Sequence, residues 1–310
     1  MTELMTTSLP STESTLKKGA IYNWNGFKIC FPPPDRILLT SVNVTLFICP
    51  LGLVVNGIVL WFLGFRIKRN PFSVYVLNLA AADFGFLLFL ALSRIVFRLC
   101  LLNFSMSLDL LLAFTFSASL SLLTVISAER CVSVLFPIWY RCHRPKHLSA
   151  IICALLWALS ALLTGVRSYV CFSDSNEHCE HVILRLTSIN FLIFTPITVL
   201  SSLILIIKVR QSSLRHQPRK LYIVILLNVL FFLLLVVPFS IVAFFREFIN
   251  YDYFINSILM LASINSSINP VIYYLVGSYR NQQFRGSVKK ALQSVFKEEA
   301  DNRDERDSAT

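Results

Sequence analysis

The chain has 310 residues, of which 55% are hydrophobic and 26 are Phe, with a formal net charge of +11 and a mean hydropathy of +0.67. So much apolar surface excludes an ordinary soluble domain, because only a bilayer solvates it. The basic residues sit in short segments between apolar runs, where attraction to anionic lipid accounts for them; plasma-membrane lipid is the expected partner and nucleic acid is not.

A hydrocarbon core about 30 Å thick needs about 20 apolar residues per helical crossing. Seven such runs are predicted, over residues 37–65, 72–98, 106–135, 148–170, 186–207, 220–245 and 254–276. The expected fold class is an all-α membrane protein, a seven-transmembrane helix bundle over residues 36–277. An extracellular leader, 1–35, precedes it; a short amphipathic eighth helix, 278–296, and a disordered cytoplasmic tail, 297–310, follow.

Residues 1–20 are polar and Ser/Thr-rich, without the apolar centre of a cleavable signal, so the first helix is expected to act as its own insertion signal. The leader shows no strong periodicity and ends in the extended Pro32-Pro33-Pro34. Arg66, Lys68 and Arg69, then Arg141, Arg144 and Lys146, then Lys208 to Lys220, then Arg280 to Lys290 mark one set of connections as cytoplasmic. The N-terminus is therefore expected outside and the C-terminus inside.

Asn56-Gly57 interrupts the first span, and Asp83 lies near the middle of the second. A mid-membrane carboxylate is costly, so Asp83 is expected to face the bundle interior as a protonated structural acid or to meet a polar partner or an ion. Of the Asn-X-Ser/Thr sequons, Asn103-Phe104-Ser105 falls in an outer loop and is the glycosylation candidate; Asn43 and Asn265 fall within spans. The third span ends in Ser127-Ala128-Glu129-Arg130-Cys131, an acid and an arginine at the membrane edge, where ionisable side chains are kept for a function.

In the seventh span Asn265, Ser266 and Asn269 precede Pro270, whose ring leaves backbone groups for water or side chains to satisfy. Past it, Tyr279, Val288, Leu292 and Phe296 share one side of a segment with Arg285, Lys289 and Lys290 on others, as suits a helix lying on the inner leaflet. Cys49, Cys131, Cys142 and Cys153 fall in membrane or cytoplasmic positions and are expected free, whereas Cys30, Cys100, Cys171 and Cys179 face the oxidising side.

Asn56, Leu79 to Asp83, Glu129-Arg130-Cys131, Trp157, Pro196, Pro238 and Asn269-Pro270-Val271-Ile272-Tyr273 together resemble the rhodopsin-like G-protein-coupled receptors over residues 36–296. Longer strings, among them Leu77 to Phe84, Pro137 to Pro145, His147 to Ala150 and Tyr273 to Arg280, resemble the Mas-related branch. The resemblance implies a heterotrimeric G protein as partner, through Gq or Gi. It also implies that Arg130 leaves Glu129 on activation, that Tyr273 swings toward it, and that Phe232 and Pro238 serve an outward movement of the sixth helix. Asp83, Ser119, Asn265, Ser266 and Asn269 match the receptors' sodium pocket, with oxygen donors that suit a hard cation; no other cofactor is expected.

The resemblance also implies a Cys171–Cys179 bridge in the second outer loop, with a Cys30–Cys100 bridge as a further candidate. Val236 stands where most of the class keep tryptophan, and no acid precedes the sixth span, so appreciable resting activity is expected. Leu112 replaces the aspartate of amine receptors. Arg167 and Arg185 stand where cation-sensing Mas-related receptors keep Glu and Asp. With Arg94, Arg98 and Arg246 at other outer ends, they either snorkel to headgroups or converge on an anionic peptide or small amphipathic ligand; Asp109 is a local counter-charge and Tyr169 a candidate wall, beside Phe114, Phe116, Tyr251 and Tyr253.

Ser294, Ser308 and Thr310 are few phosphate acceptors, so weak arrestin recruitment is expected. No glycine loop, metal-ligand spacing or nucleophile and base supports an enzyme. A secondary transporter is the rival class, but no internal repeat is found; a signalling-deficient decoy or heteromeric subunit is the other alternative, given Val236.

Overall fold

Two residues, Asn25 and Gly26, separate a pair of short strands that the sequence reading did not foresee: β1 (Ile21–Trp24) and β2 (Phe27–Cys30) pair antiparallel with Trp24 opposite Phe27 and Ile21 opposite Cys30. The computed structural model describes residues 21–24, 27–30, 36–66, 70–98, 105–145, 147–173, 193–205, 207–208 and 251–279. The hairpin corrects the expectation of a leader without order, at least over these eight paired residues. Asn-Gly between β-forming residues is the sequence signal for such a hairpin.

The remaining described elements are helices. They are α1 (Arg36–Trp61), continued by a wider π turn over Phe62–Arg66, α2 (Pro71–Arg98), α3 (Ser105–Leu135), the short α4 (Pro137–Cys142), α5 (Leu148–Ser173), α6 (Ile193–Leu205) and α7 (Tyr251–Tyr279). Residues expected to form the sixth span and the eighth helix lie outside the described residues.

Local chemistry fixes where these helices begin. Asn70 caps α2: its Oδ1 accepts from the Ser73 amide at 2.6 Å, while its own amide donates to Ser73 Oγ at 2.8 Å. Pro71 follows at the first helical position, where a missing amide hydrogen costs nothing. Pro137 likewise opens α4 directly after Phe136.

Four of these helices are long and apolar enough to cross a membrane. With 29 residues α7 is as long, but Asn265, Ser266 and Asn269 dilute it. The apolar side chains face outward in stripes. On α1 and the π turn that continues it, Phe47, Leu51, Val54, Ile58, Trp61 and Phe65 recur every three or four residues, with Phe47 at 73% and Phe65 at 77% exposure. A helix bundle in lipid has no need to hide such residues and instead turns its polar groups inward.

The interior bears this out. Asn56, Asp83, Ser119, Thr124, Arg130 and Asn269 are all buried. At the centre is α2, which packs against α1, α3, α5 and α7. Trp157 Nε1 of α5 donates to Asn78 Oδ1 of α2 at 3.0 Å, and Thr124 of α3 shares a hydrogen bond with Thr198 of α6 at 2.8 Å. Gly52 lets α1 approach α7: a Cβ there would stand 2.2 Å from Ser267 Oγ.

Candidate functional site

Three polar groups occupy the described interior, one at mid-membrane and one toward each face. The central one is built on Asp83, which has no exposed surface. Ser119 Oγ of α3 donates to its Oδ1 at 2.6 Å, and Asn269 Nδ2 of α7 donates to its Oδ2 at 2.8 Å. Ser266 is buried on α7, three residues before Asn269.

Asn56 extends the group to α1: its Nδ2 donates to Gly52 O at 2.9 Å and to Ser266 O at 3.1 Å. Asn265 is buried on α7 close in sequence, but no bond joins it to Asp83. The buried oxygens Asn56 Oδ1, Asn265 Oδ1 and Asn269 Oδ1 have no hydrogen-bond partner. Orphan amide oxygens beside a buried carboxyl are hard donors of the kind sodium takes, so the residues present fit such an ion.

Toward the cytoplasmic end the structure departs from expectation. Glu129 does not pair with Arg130. Its Oε1 accepts from the Tyr140 hydroxyl and from Arg144 Nη2, each at 2.6 Å. Arg144 Nη2 also donates to Ser149 Oγ at the start of α5, and its guanidinium lies 5.1 Å from the Tyr140 ring centre. Burial, ahead of every other cause, pushes the Tyr140 phenol above its ordinary range and keeps it a donor.

Arg130 is 3% exposed, with its guanidinium carbon 4.1 Å from the centre of the Phe72 ring on α2. The physical reason is competition for the carboxylate: Tyr140 and Arg144 both occupy Glu129 Oε1, and Arg130 turns to the Phe72 ring. The sequence alone points to Arg130 and does not reveal Phe72 as its neighbour, nor Tyr140 and Arg144 as the partners of Glu129. The string Pro137 to Pro145 carries a family resemblance, but nothing in its spacing shows that Tyr140 and Arg144 fold back onto Glu129.

At the outer end Arg94 is 8% exposed and donates from Nη1 to Asn256 Oδ1 of α7, while its Nε is buried without a hydrogen-bond partner. Asp109 is exposed on α3 and accepts from Ser93 Oγ at 3.2 Å; its charge acts on Arg94 through space. Arg167 is half-buried on α5.

Tyr169 is 74% exposed and continues the outward stripe of Leu155, Leu159, Leu162 and Val166. That spacing puts it on the lipid side, which corrects its expected place in the ligand wall. Phe114 and Phe116 pack instead against Trp157 and Phe86, with ring centres 5.3 Å and 5.4 Å apart. Arg185, Phe232, Pro238, Arg246, Asn103, Cys100 and Cys179 lie outside the described residues. For Arg98, Tyr251, Tyr253, Tyr273 and Cys30 only the backbone is described. Cys171 is disulfide-bonded, and Cys49, Cys131, Cys142 and Cys153 are free.

The profile of the seven-transmembrane receptor (rhodopsin family) matches residues 55–273. The chain is 41% identical over 272 residues to the proto-oncogene Mas of Rattus norvegicus, covering 83% of each chain. It is 40% identical over 276 residues to the Mas-related G-protein coupled receptor member D of Homo sapiens, covering 84% of this chain and 86% of the relative. A third relative, the Mas-related G-protein coupled receptor member X2 of Hoolock hoolock, is 43% identical over 261 residues, covering 80% and 79%. Receptors of this kind are multi-pass proteins of the plasma membrane that act on G proteins and are not enzymes. With the match spanning most of the chain, and with a buried Asp83–Ser119–Asn269 core on the page, the chain belongs to the rhodopsin family of seven-transmembrane receptors, in its Mas-related branch.

Proposed function

We propose that the chain is a cell-surface receptor that takes an anionic peptide or small amphipathic anion at the outer end of its bundle and passes the signal to Gq or Gi. The N-terminus is outside and the C-terminal tail inside, and the sixth helix moves outward about Pro238. The observation that carries the switching part is the buried polar line from Asn56 through Asp83 and Ser119 to Asn269, which ties four helices together through side chains. Such a set has two arrangements, one closed and one open, and a ligand that prefers either shifts the balance.

A sodium ion held by Asp83, Ser119, Ser266, Asn265 and Asn269 would add positive charge beside the Asp83 carboxylate and favour the closed arrangement. The rest belongs to this chain's own residues. Asn269 and Ser119 hold the carboxyl, and Asn56 holds the α7 backbone. Glu129 is kept by Arg144 and Tyr140 while Arg130 waits against Phe72.

The ligand part of the reading is supported by charge. Arg94 is a buried cation on α2, and Arg167 and Arg185 reverse the signs that cation-sensing relatives carry. Arrestin recruitment through the short acceptor-poor tail is weak in this reading.

The test is G-protein activation in cells expressing the full chain, challenged with matched anionic and cationic peptides and lipids, beside an Arg167→Glu/Arg185→Asp variant and an Arg130→Ala control. Responses to anions that vanish in the double variant support the reading. Responses to cations in the native chain overturn the ligand class, and silence equal to the Arg130→Ala control overturns signalling and favours a decoy or partner subunit.

A further inference from the structure

A guanidinium inside a membrane bundle is costly unless something takes up its charge. Arg130 is 3% exposed, and Glu129 Oε1 beside it in sequence is taken by Tyr140 and Arg144. The face of the Phe72 ring lies under the guanidinium, with 4.1 Å between its carbon and the ring centre. That is well inside the roughly 6 Å over which a cation is drawn to the electron-rich face of an aromatic ring. Phe72 is itself 1% exposed, so the contact is shielded from water and the low dielectric strengthens it.

The ring is held in place by its own turn of chain. Asn70 Oδ1 accepts from the Ser73 amide, the Asn70 amide donates to Ser73 Oγ, and Ser73 Oγ donates to Asn70 O at 2.9 Å. Pro71 fixes φ within the same turn, and Phe72 belongs to the buried cluster of Val76, Leu79 and Ile126. Eleven residues separate Phe72 from Asp83 on α2, and eleven separate Ser119 from Arg130 on α3. The Phe72–Arg130 contact and the Ser119–Asp83 bond are therefore two rungs of one antiparallel helix pairing. Ser93 donating to Asp109, ten residues further out on both helices, is a third. Whatever turns α2 against α3 loosens the ring contact together with the central site.

We propose that Phe72 is the positioning residue that keeps the receptor at rest: its ring holds Arg130 against α2, where a G protein cannot reach the guanidinium, and activation exchanges that ring for the G protein. This rests on the signalling reading above, in which Arg130 meets the G protein. The start of the sixth span offers no acid to hold Arg130, since the chain has Pro218, Arg219 and Lys220 there. An uncharged ring face on a different helix does the holding instead, and Phe72 acts only through Arg130.

The experiment uses the full-length receptor with Phe72 replaced, by stop-codon suppression, with phenylalanine carrying one, two or three ring fluorines. Each fluorine draws electron density from the ring face and weakens its hold on a cation, while the size of the ring changes little. The readouts are ligand-independent G-protein activation in cells, normalised to surface expression, and the melting temperature of purified receptor in detergent. Basal output is expected to rise with each fluorine, by about three- to tenfold with three. Phe72→Leu, apolar but without a ring face, is expected to match or exceed that rise. The melting temperature is expected to fall in the same order in the native background and to stay level in Arg130→Gln, which has no cation to release.

Basal output that is flat across the fluorine series, yet stands above an Arg130→Ala control, overturns the lock and leaves the signalling reading intact. Equal falls in melting temperature in the native and Arg130→Gln backgrounds also overturn it, because the ring then serves packing alone. Output equal to the Arg130→Ala control in every variant, Phe72→Leu included, overturns the signalling reading and the lock with it.

Discussion

Arg144→Gln is expected to raise signalling in the absence of ligand. Arg144 Nη2 holds Glu129 Oε1 at 2.6 Å with side chains only 4% and 10% exposed, so solvent screens the pair little. Tyr140 remains on the same oxygen when Arg144 is lost, so the carboxylate keeps one hydrogen-bond donor. The lower range for a hydrogen bond to a charged group, about 1.5 kcal/mol, is therefore the proper magnitude rather than the larger cost of stranding a fully buried ion.

About 1.5 kcal/mol is roughly a tenfold shift between closed and open states. An open fraction on the order of 1% then becomes about 10%, and ligand-independent output rises several-fold. The assay is basal G-protein activation normalised to surface receptor, for Arg144→Gln, Glu129→Gln and the double variant. If the clasp acts as one unit, either single change raises output and the second adds little. Equal basal output in all four receptors, or fully additive increases, refutes the idea that Arg144 acts through Glu129.

Three further outcomes are expected. Gly52→Ala brings a Cβ to 2.2 Å from Ser267 Oγ and 2.6 Å from Leu87 Cδ1, and overpacking of about 1–3 kcal/mol should lower thermal stability in detergent; Gly57→Ala, whose nearest neighbour is Phe84 at 3.6 Å, should not. Sodium should raise the melting temperature of the native receptor but not of Asp83→Asn, and an equal rise in both removes Asp83 from any cation site. Trp157→Phe deletes the 3.0 Å bond to Asn78 Oδ1 and leaves a half-buried amide oxygen, so about 1 kcal/mol of stability should go; an unchanged unfolding midpoint would show that α5 docks on α2 by packing alone.

The spans were legible because a bilayer demands long apolar runs, and residues such as Phe47 and Phe65 leave no other solvent for them. The central site was legible for the opposite reason: an Asp at mid-membrane must find partners, and Asn and Ser on other spans were the available ones. Arg144 escaped because a loop cation looks like every other positive-inside residue until α4 folds it back under Glu129. The hairpin escaped because a four-residue alternation beside polar sequence is too short to show a period, and only Asn25-Gly26 marked it. Tyr169 was misplaced because an aromatic at an outer helix end has the same composition whether it faces ligand or lipid; the phase of Leu155, Leu159, Leu162 and Val166 carried the answer.

The phase of α2 makes the three polar groups one system. Phe72, Asp83 and Arg94 are each eleven residues apart, which is about three helical turns and about 16 Å per step. They therefore lie within a narrow stripe of one helix, and contact passes from α3 to α7 along it: Phe72 takes Arg130 of α3, Asp83 takes Ser119 of α3 and Asn269 of α7, and Arg94 takes Asn256 of α7. A small rotation of α2 that freed Arg94 from Asn256 would turn Asp83 and Phe72 through the same angle. Because a packed helix moves as a rigid element, such a rotation would carry to Arg130 without a chain of side-chain relays.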